Sequence, residues 1–230
     1  MTMLDAIGPY EILRNVKGAK IKFVSKVKGE ITADSHFVHI NSKYSIEEIS
    51  KADILLIPGS TIAFLREMKD KVVLDWIRKI DETTQRTVSV CTGSIILSAT
   101  GVLNGKKATS HWKPINLLSD FGAKPTRERI VDEGKYITAA GVSAGIDMAI
   151  YRVNQLKGEK AAKAAQLSIE YDPKPMFNSG NFLTAEKDII ELSEKIMEID
   201  AKKDVSLWEI LKNACTLLKM KKKASSEQSA

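Results

Sequence analysis

Short apolar runs alternate with stretches of helical period along most of the chain. Asp53-Ile54-Leu55-Leu56-Ile57 is a continuous apolar run, the pattern of a strand covered on both faces. Lys20 to Val27 alternates through Ile21, Phe23 and Val27, and Phe37-Val38-His39-Ile40 reads as a second short strand. Ile130-Val131-Asp132 and Lys135-Tyr136-Ile137-Thr138 flank Glu133-Gly134, a hairpin signal. Ala108 to Trp112 reads as a further brief strand. Helical spacing marks Thr61–Met68, Lys71–Asp81, the stretch opening at Gly141–Gly145, and Glu159 to about Ile169. Ser45 caps a brief helix, and Gly8-Pro9 predicts the start of an N-terminal one. Strands alternating with helices predict a doubly wound α/β parallel sheet with helices on both faces.

Beyond Ala185 the pattern changes to charged amphipathic helix, with Ile189, Leu192, Ile196 and Ile199 at helical spacing and a second piece carrying Val205, Trp208, Leu211 and Leu218. The expected organisation is therefore an α/β domain over 1–184, a helical extension over 185–223, and a disordered tail over 224–230.

One junction carries a chemical signal. Thr87-Val88-Ser89-Val90 is a β-branched strand that runs into Cys91, small residues follow at Thr92-Gly93-Ser94, and an apolar helical run begins at Ile95. A strand feeding a helix through a tight bend pushes the residue at the bend away from both elements, the form of a nucleophile elbow. The helix start behind it is expected to favour thiolate over thiol. The other cysteine, Cys215, lies among Leu211, Ala214, Leu217 and Leu218 and reads as packing. Two cysteines in such different contexts make neither a disulfide framework nor a metal site. No phosphate-cradling glycine loop is present, so no cofactor is expected. Gly141-Val142-Ser143-Ala144-Gly145 reads as close helix packing as readily as a motif.

Composition narrows the class. At 230 residues with 43% hydrophobic and 28% charged content, the chain has the balance of a soluble globular protein. No apolar run reaches membrane-span length and no signal-peptide pattern follows Met1, so a cytoplasmic location is expected. Part of the net charge of +6 sits in Lys219-Met220-Lys221-Lys222-Lys223, which reads as a solvated tail. Aromatics make up 6% of residues and do not interleave with basic ones, which argues against a nucleic-acid reader.

A thiolate nucleophile needs a proton handler and a group to hold developing negative charge. Asp5, in the apolar setting Leu4-Asp5-Ala6-Ile7-Gly8-Pro9, is a candidate acid whose pKa burial would raise; a helix cap is the competing reading. His111 is a candidate base, or else a satisfied histidine beside Trp112. Pro58-Gly59-Ser60 closes the apolar strand in a loop able to present backbone N–H groups.

Five segments together resemble the ThiJ/PfpI superfamily: Leu55-Leu56-Ile57-Pro58-Gly59, Val90-Cys91-Thr92-Gly93-Ser94, Gly101-Val102-Leu103-Asn104-Gly105-Lys106, Ala108-Thr109-Ser110-His111-Trp112 and Thr138 to Asp147. Within it the chain is most similar to the isonitrile hydratase subgroup. The resemblance implies a flavodoxin-like sandwich, a homodimer, Cys91 as nucleophile, and Asp5 as the carboxylate over its sulfur. It implies Thr92 beside the nucleophile and an anion hole at the backbone of Ser60 and Thr92, next to Gly59. Peptidase members carry histidine after the cysteine, and Thr92 stands there in this chain. The implied activity is hydration of a small isonitrile. Alternatives are a redox sensor using an oxidisable Cys91, or a glyoxalase- or deglycase-like enzyme of reactive carbonyls leaning on His111. Members also open with an apolar strand ahead of the carboxylate. Met1 stands only just ahead of Asp5, so that first strand is expected to be missing or its place filled by another segment.

Overall fold

A computed structural model describes residues 1–204. In chain order the elements are α1 (Met3–Leu13), β1 (Val24–Ser25), β2 (Gly29–Thr32), β3 (His39–Ser42), β4 (Tyr44–Ser45), β5 (Ile54–Ile57), α2 (Phe64–Glu67), α3 (Lys71–Asp81), β6 (Arg86–Val90), α4 (Gly93–Ala99), β7 (Lys107–Ala108), α5 (Leu117–Asp120), β8 (Lys124–Pro125), β9 (Ile130–Glu133), β10 (Tyr136–Ala139), α6 (Ala144–Lys157), α7 (Glu159–Ser168) and α8 (Lys187–Asp204). Cys215, the helical piece from Val205, the lysine cluster and the 224–230 tail lie outside the described residues.

The central sheet has the order β5-β6-β10-β9. Strands β5, β6 and β10 run parallel, with Ile57 opposite Ser89 and Ala139 opposite Val90. Strand β9 closes one edge antiparallel, through the hairpin predicted at Glu133-Gly134. Gly134 takes the positive φ of 73° that this turn needs. The remaining strands form three small two-stranded sheets, β1 with β4, β2 with β3, and β7 with β8.

Apolar residues leave both sheet faces, as the continuous run in β5 implied. On one side Leu55 and Ile57 pack with Phe64, Leu65, Ile77, Ile95 and Leu103 beneath α2 to α5. On the other, Val88, Val90 and Ile137 meet Ala144 and Met148 of α6. Ile12 of α1 then packs with Ala149, Val153, Ala162 and Ala165 of α6 and α7. Each fully buried Ile or Leu here is worth roughly 2 kcal/mol of transfer free energy. Helix α3 matches its predicted span because a cap and a stripe agree. Asp70 accepts from Val72 and Val73 N–H at 3.0 and 3.3 Å, and Leu74, Ile77 and Ile80 turn inward.

Several local expectations shift. The N-terminal helix starts at Met3, not at Gly8-Pro9. Pro9 costs one helical hydrogen bond. Its ring, though, lies 3.2 Å from where a Cβ on Gly145 would stand, so packing of α1 on α6 holds the helix through it. The Lys20–Val27 strand shrinks to Val24–Ser25, and a separate strand begins at Gly29. The Ala108–Trp112 strand is only Lys107–Ala108. Gly145 lies within α6, where its Cβ would sit 3.1 Å from both Val90 methyls, so close packing is its role.

Strand β5 pairs on one side only, with β6. Among the described residues no strand runs along its other edge, and none precedes α1. Thr2 N–H donates to Gly59 O at 2.9 Å beyond the strand's end. The helical extension exists as α8, whose Ile190 is buried while Leu192, Ile196 and Ile199 are exposed. Trp112, Phe182 and Ala185 line the recess beside Ile190, and Trp112 stacks on Phe182 at 5.4 Å.

Candidate active site

Cys91 stands at the bend between β6 and α4 with φ of +58°, a left-handed conformation that a side chain adopts only when the surroundings impose it. Its N–H is held by Ala139 O at 3.1 Å and Ala140 O at 2.8 Å. Its carbonyl accepts from Ser94 Oγ and Ser110 Oγ, each at 3.0 Å. Four backbone anchors therefore fix the elbow. Gly93 follows because any side chain is excluded: a Cβ there would lie 2.1 Å from Ile57 O.

Helix α1 delivers Asp5 to the same place. Asp5 is fully buried, and its Oδ2 accepts the Gly59 N–H at 2.9 Å. Its other oxygen, Oδ1, has no hydrogen-bond partner. Burial pushes the Asp5 pKa up to about 7; the Gly59 N–H opposes the rise, Asp34 adds to it, and the Cys91 thiol pulls slightly back. Asp5 thus sits in the first turn of its helix without serving as the cap.

The thiol is shifted the other way from expectation. Burial pushes the Cys91 pKa well up, and the charges of Asp5 and Asp34 push it further, while the Thr92 N–H opposes them. Helix α4 spans only Gly93–Ala99, and its amide field is outweighed by desolvation and by Asp5. The resting sulfur is a thiol whose proton is coupled to that of Asp5.

Thr92 and the Pro58–Ser60 turn lock together. Ser60 N–H donates to Thr92 Oγ1 at 2.8 Å, and that hydroxyl donates to Ser60 O at 2.9 Å. The amide expected to face a developing anion is therefore occupied by the threonine side chain. Gly59 is required by the closeness of this contact: its Cβ would lie 2.6 Å from Thr92 N and Thr92 Oγ1 and 3.0 Å from Asp5 Oδ2. Thr92 bonds to the Ser60 backbone and makes no hydrogen bond to Asp5.

His111 is half-buried near Gly141, with its ring 5.6 Å from Trp112. Its Nδ1 accepts a long bond from Lys113 N–H at 3.4 Å. Burial, aided by the Lys113 charge, pushes its pKa down to about 4, so it is neutral at physiological pH. It makes no hydrogen bond to Cys91 or Asp5. Sequence reasoning passed over Ser110, which stands next to His111 and grips the elbow carbonyl, and Asp34, whose signal is only an acidic residue after a short strand. Among the described residues no three His, Cys, Asp or Glu side chains cluster as a metal site, and no helix is long and apolar enough to cross a membrane.

Cys91 at the elbow, the buried Asp5 carboxyl and the Gly59–Ser60 turn beside Thr92 are thus neighbours in the fold. A model of the DJ-1/PfpI family matches residues 1–155. The chain belongs to the DJ-1/PfpI family. It is 34% identical to isonitrile hydratase of Pseudomonas putida over 193 residues, 84% of this chain and 83% of that protein. It is 30% identical to the HTH-type transcriptional regulator CdhR of Pseudomonas aeruginosa over 70% of this chain, but that match spans only 48% of the regulator. Among solved structures, a ThiJ/PfpI family protein from Pseudomonas syringae superposes with a TM-score of 0.80 at 36% identity, covering 87% of this chain and 84% of that one. A family fold of this flavodoxin-like kind accounts for the sheet order and for helices on both faces.

Proposed function

We propose that this DJ-1/PfpI family protein is a cysteine-dependent isonitrile hydratase, adding water to a small isonitrile to give an N-substituted formamide. The observation that carries the reading is the pairing of Cys91 with a buried carboxyl whose pKa lies near 7 and whose Oδ1 is unpartnered. The similarity to isonitrile hydratase over most of both chains supports it. The reading includes a cytoplasmic homodimer.

The active form of the pair holds one proton. With that proton on Asp5, Cys91 is a thiolate. Sulfur bonds to the terminal isonitrile carbon as Asp5 gives its proton to the same carbon, leaving a thioimidate and a carboxylate. The carboxylate takes a proton from water while the hydroxyl adds to the thioimidate carbon, and Asp5 passes that proton to nitrogen. Collapse of the adduct returns the hydroxyl proton to Asp5, breaks the C–S bond and releases the formamide. Asp5 is suited to this shuttle because it changes protonation near neutral pH. His111, neutral and not hydrogen-bonded to the pair, has no step, which is the observation against a carbonyl-directed reaction leaning on it.

The test is formamide production from a simple alkyl or aryl isonitrile, with Cys91→Ala and Asp5→Asn beside the wild type and glyoxal consumption measured in parallel. Loss of at least ~10³-fold in both variants is expected for removal of a nucleophile or its proton carrier. Turnover that survives in Cys91→Ala, or glyoxal consumption without formamide, sinks the hydratase reading.

A further inference from the structure

Asp34 follows β2 and belongs to none of the elements that carry the proposed chemistry. Its carboxylate nevertheless joins two of them. Oδ2 accepts from Thr2 Oγ1 at 2.8 Å, from Thr61 N–H at 2.9 Å and from Thr61 Oγ1 at 3.2 Å. Oδ1 lies 3.1 Å from the Met1 amino group, and the Asp34 N–H donates to Met1 O at 2.9 Å. Thr2 immediately precedes α1, which carries Asp5. Thr61 immediately follows Ser60, whose amide and carbonyl hold Thr92. One oxygen therefore spans the start of the Asp5 helix and the end of the turn that fixes both Asp5 and Thr92.

We propose that Asp34 is a positioning residue for the Cys91–Asp5 pair, clamping Thr2 to Thr61 so that the carboxyl of Asp5 and the Gly59–Ser60 turn are held over the sulfur as one body. The clamp is selective in its geometry. The turn already receives Thr2 N–H at Gly59 O, 2.9 Å away. Asp34 adds a second cross-link on the far side of Ser60, which removes the freedom of the turn to swing about Gly59. Loops holding a reacting group need this kind of double support, because a shift on the order of 1 Å costs ~10²-fold in rate.

The clamp is also charged, and its charge is felt at both members of the pair. Asp34 raises Asp5 and Cys91 alike. The other groups facing them are the Met1 amino group, which lowers Asp5, the Gly59 N–H on Asp5, and the Thr92 N–H on the sulfur. Asp34 thus holds the site in place and adds to the rise that burial and Asp5 impose on the thiol. Position and charge are largely separable: asparagine keeps one acceptor oxygen for Thr61 and Thr2 and gives up the charge and the Met1 ion pair, whereas alanine keeps none of these.

The inference rests on the reading of Cys91 and Asp5 as the reacting pair, and its test is chosen to stand apart from hydration. In a Cys215→Ser background, the rate of Cys91 alkylation by iodoacetamide is followed across pH for the wild type, Asp34→Asn and Asp34→Ala, with melting temperatures beside it. Asp34→Asn is expected to move the alkylation midpoint down by about half a pH unit, with its plateau rate within about twofold of wild type. Asp34→Ala is expected to raise the plateau rate by about fivefold or more, since the turn that buries the thiol is released. An unmoved midpoint in Asp34→Asn, or a plateau rise as large in Asn as in Ala, overturns the proposal. Should Asp34→Ala fail to fold, the Asn midpoint and its plateau decide alone. Alkylation needs no isonitrile, so absence of hydration in the wild type would strike the hydratase reading without touching the clamp.

Discussion

The two ends of strand β6 each hold a buried aspartate, and they are treated in opposite ways. At the start of the strand Asp81 is saturated. Its Oδ1 accepts from Thr87 Oγ1 at 2.6 Å, and its Oδ2 accepts from Lys135 Nζ and Tyr136 Oη, each at 3.1 Å. At the end of the strand Asp5 has one backbone donor, an orphan oxygen and a thiol for company. Among the described residues no cation pairs with Asp5 as Lys135 pairs with Asp81, and the Met1 amino group is the cationic influence on it. A carboxylate that fastens a fold is surrounded by donors, as Asp81 is. One left short of donors inside the protein gives up its charge near neutrality, and so becomes a proton carrier.

The largest effect on stability should come from breaking the saturated end. Asp81→Ala leaves Lys135 without its counter-ion and Thr87 and Tyr136 without an acceptor. It should cost about 3 kcal/mol in denaturant unfolding, with Cys91 alkylation of the folded protein unchanged. A cost below ~1 kcal/mol would show that the contrast between the two aspartates is not energetic.

At the other end the sign reverses. Asp5 is raised to about 7 in the fold, and it titrates near ~3.9 in the unfolded chain. The folded state therefore binds the proton more tightly, and wild-type stability falls as pH rises from about 4 through about 7. Asp5→Asn, which is never ionised, should be the more stable protein at pH 8, by about 2 kcal/mol, with the difference closing toward pH 4. A variant destabilised at both pH values would mean that the orphan oxygen is not a cost to the fold.

The smallest of the three effects is the sharpest probe of coupling. A fully protonated Cys91–Asp5 pair cannot furnish thiolate, so kcat/KM for isonitrile should fall about tenfold per pH unit below about 7 and hold level above it until the raised thiol ionises. A profile flat from pH 5 to 8 would separate Asp5 from the chemistry.

How much of this was written along the chain depends on the range of the interactions. The elbow was legible because its elements are local. A β-branched run, a cysteine, three small residues and a helical stripe lie side by side, whereas the demand for glycine at 93 comes from Ile57 of the neighbouring strand. Helix α3 was legible for the same reason, its Asp70 cap and its Leu74–Ile77–Ile80 stripe being neighbours in sequence. The early helix start was not, because the contact of Pro9 with Gly145 that holds it comes from α6, far along the chain. Short strands such as β1 and β7 were over-read because alternation gives a capacity for pairing, and only the partner decides how much of it is used.

The residues alone therefore determined that an α/β sheet would carry a cysteine at a strand-to-helix bend, with a carboxyl in apolar company as its candidate partner. Tertiary structure decided the protonation and the restraint. It buried Asp5 with one donor, turned the expected thiolate into a raised thiol, and spent the Ser60 amide on Thr92. It also brought Asp34 to the site from an unmarked hairpin. Those outcomes are set by desolvation and by hydrogen bonds between segments up to fifty-four residues apart, and neither can be read from a pattern of neighbours.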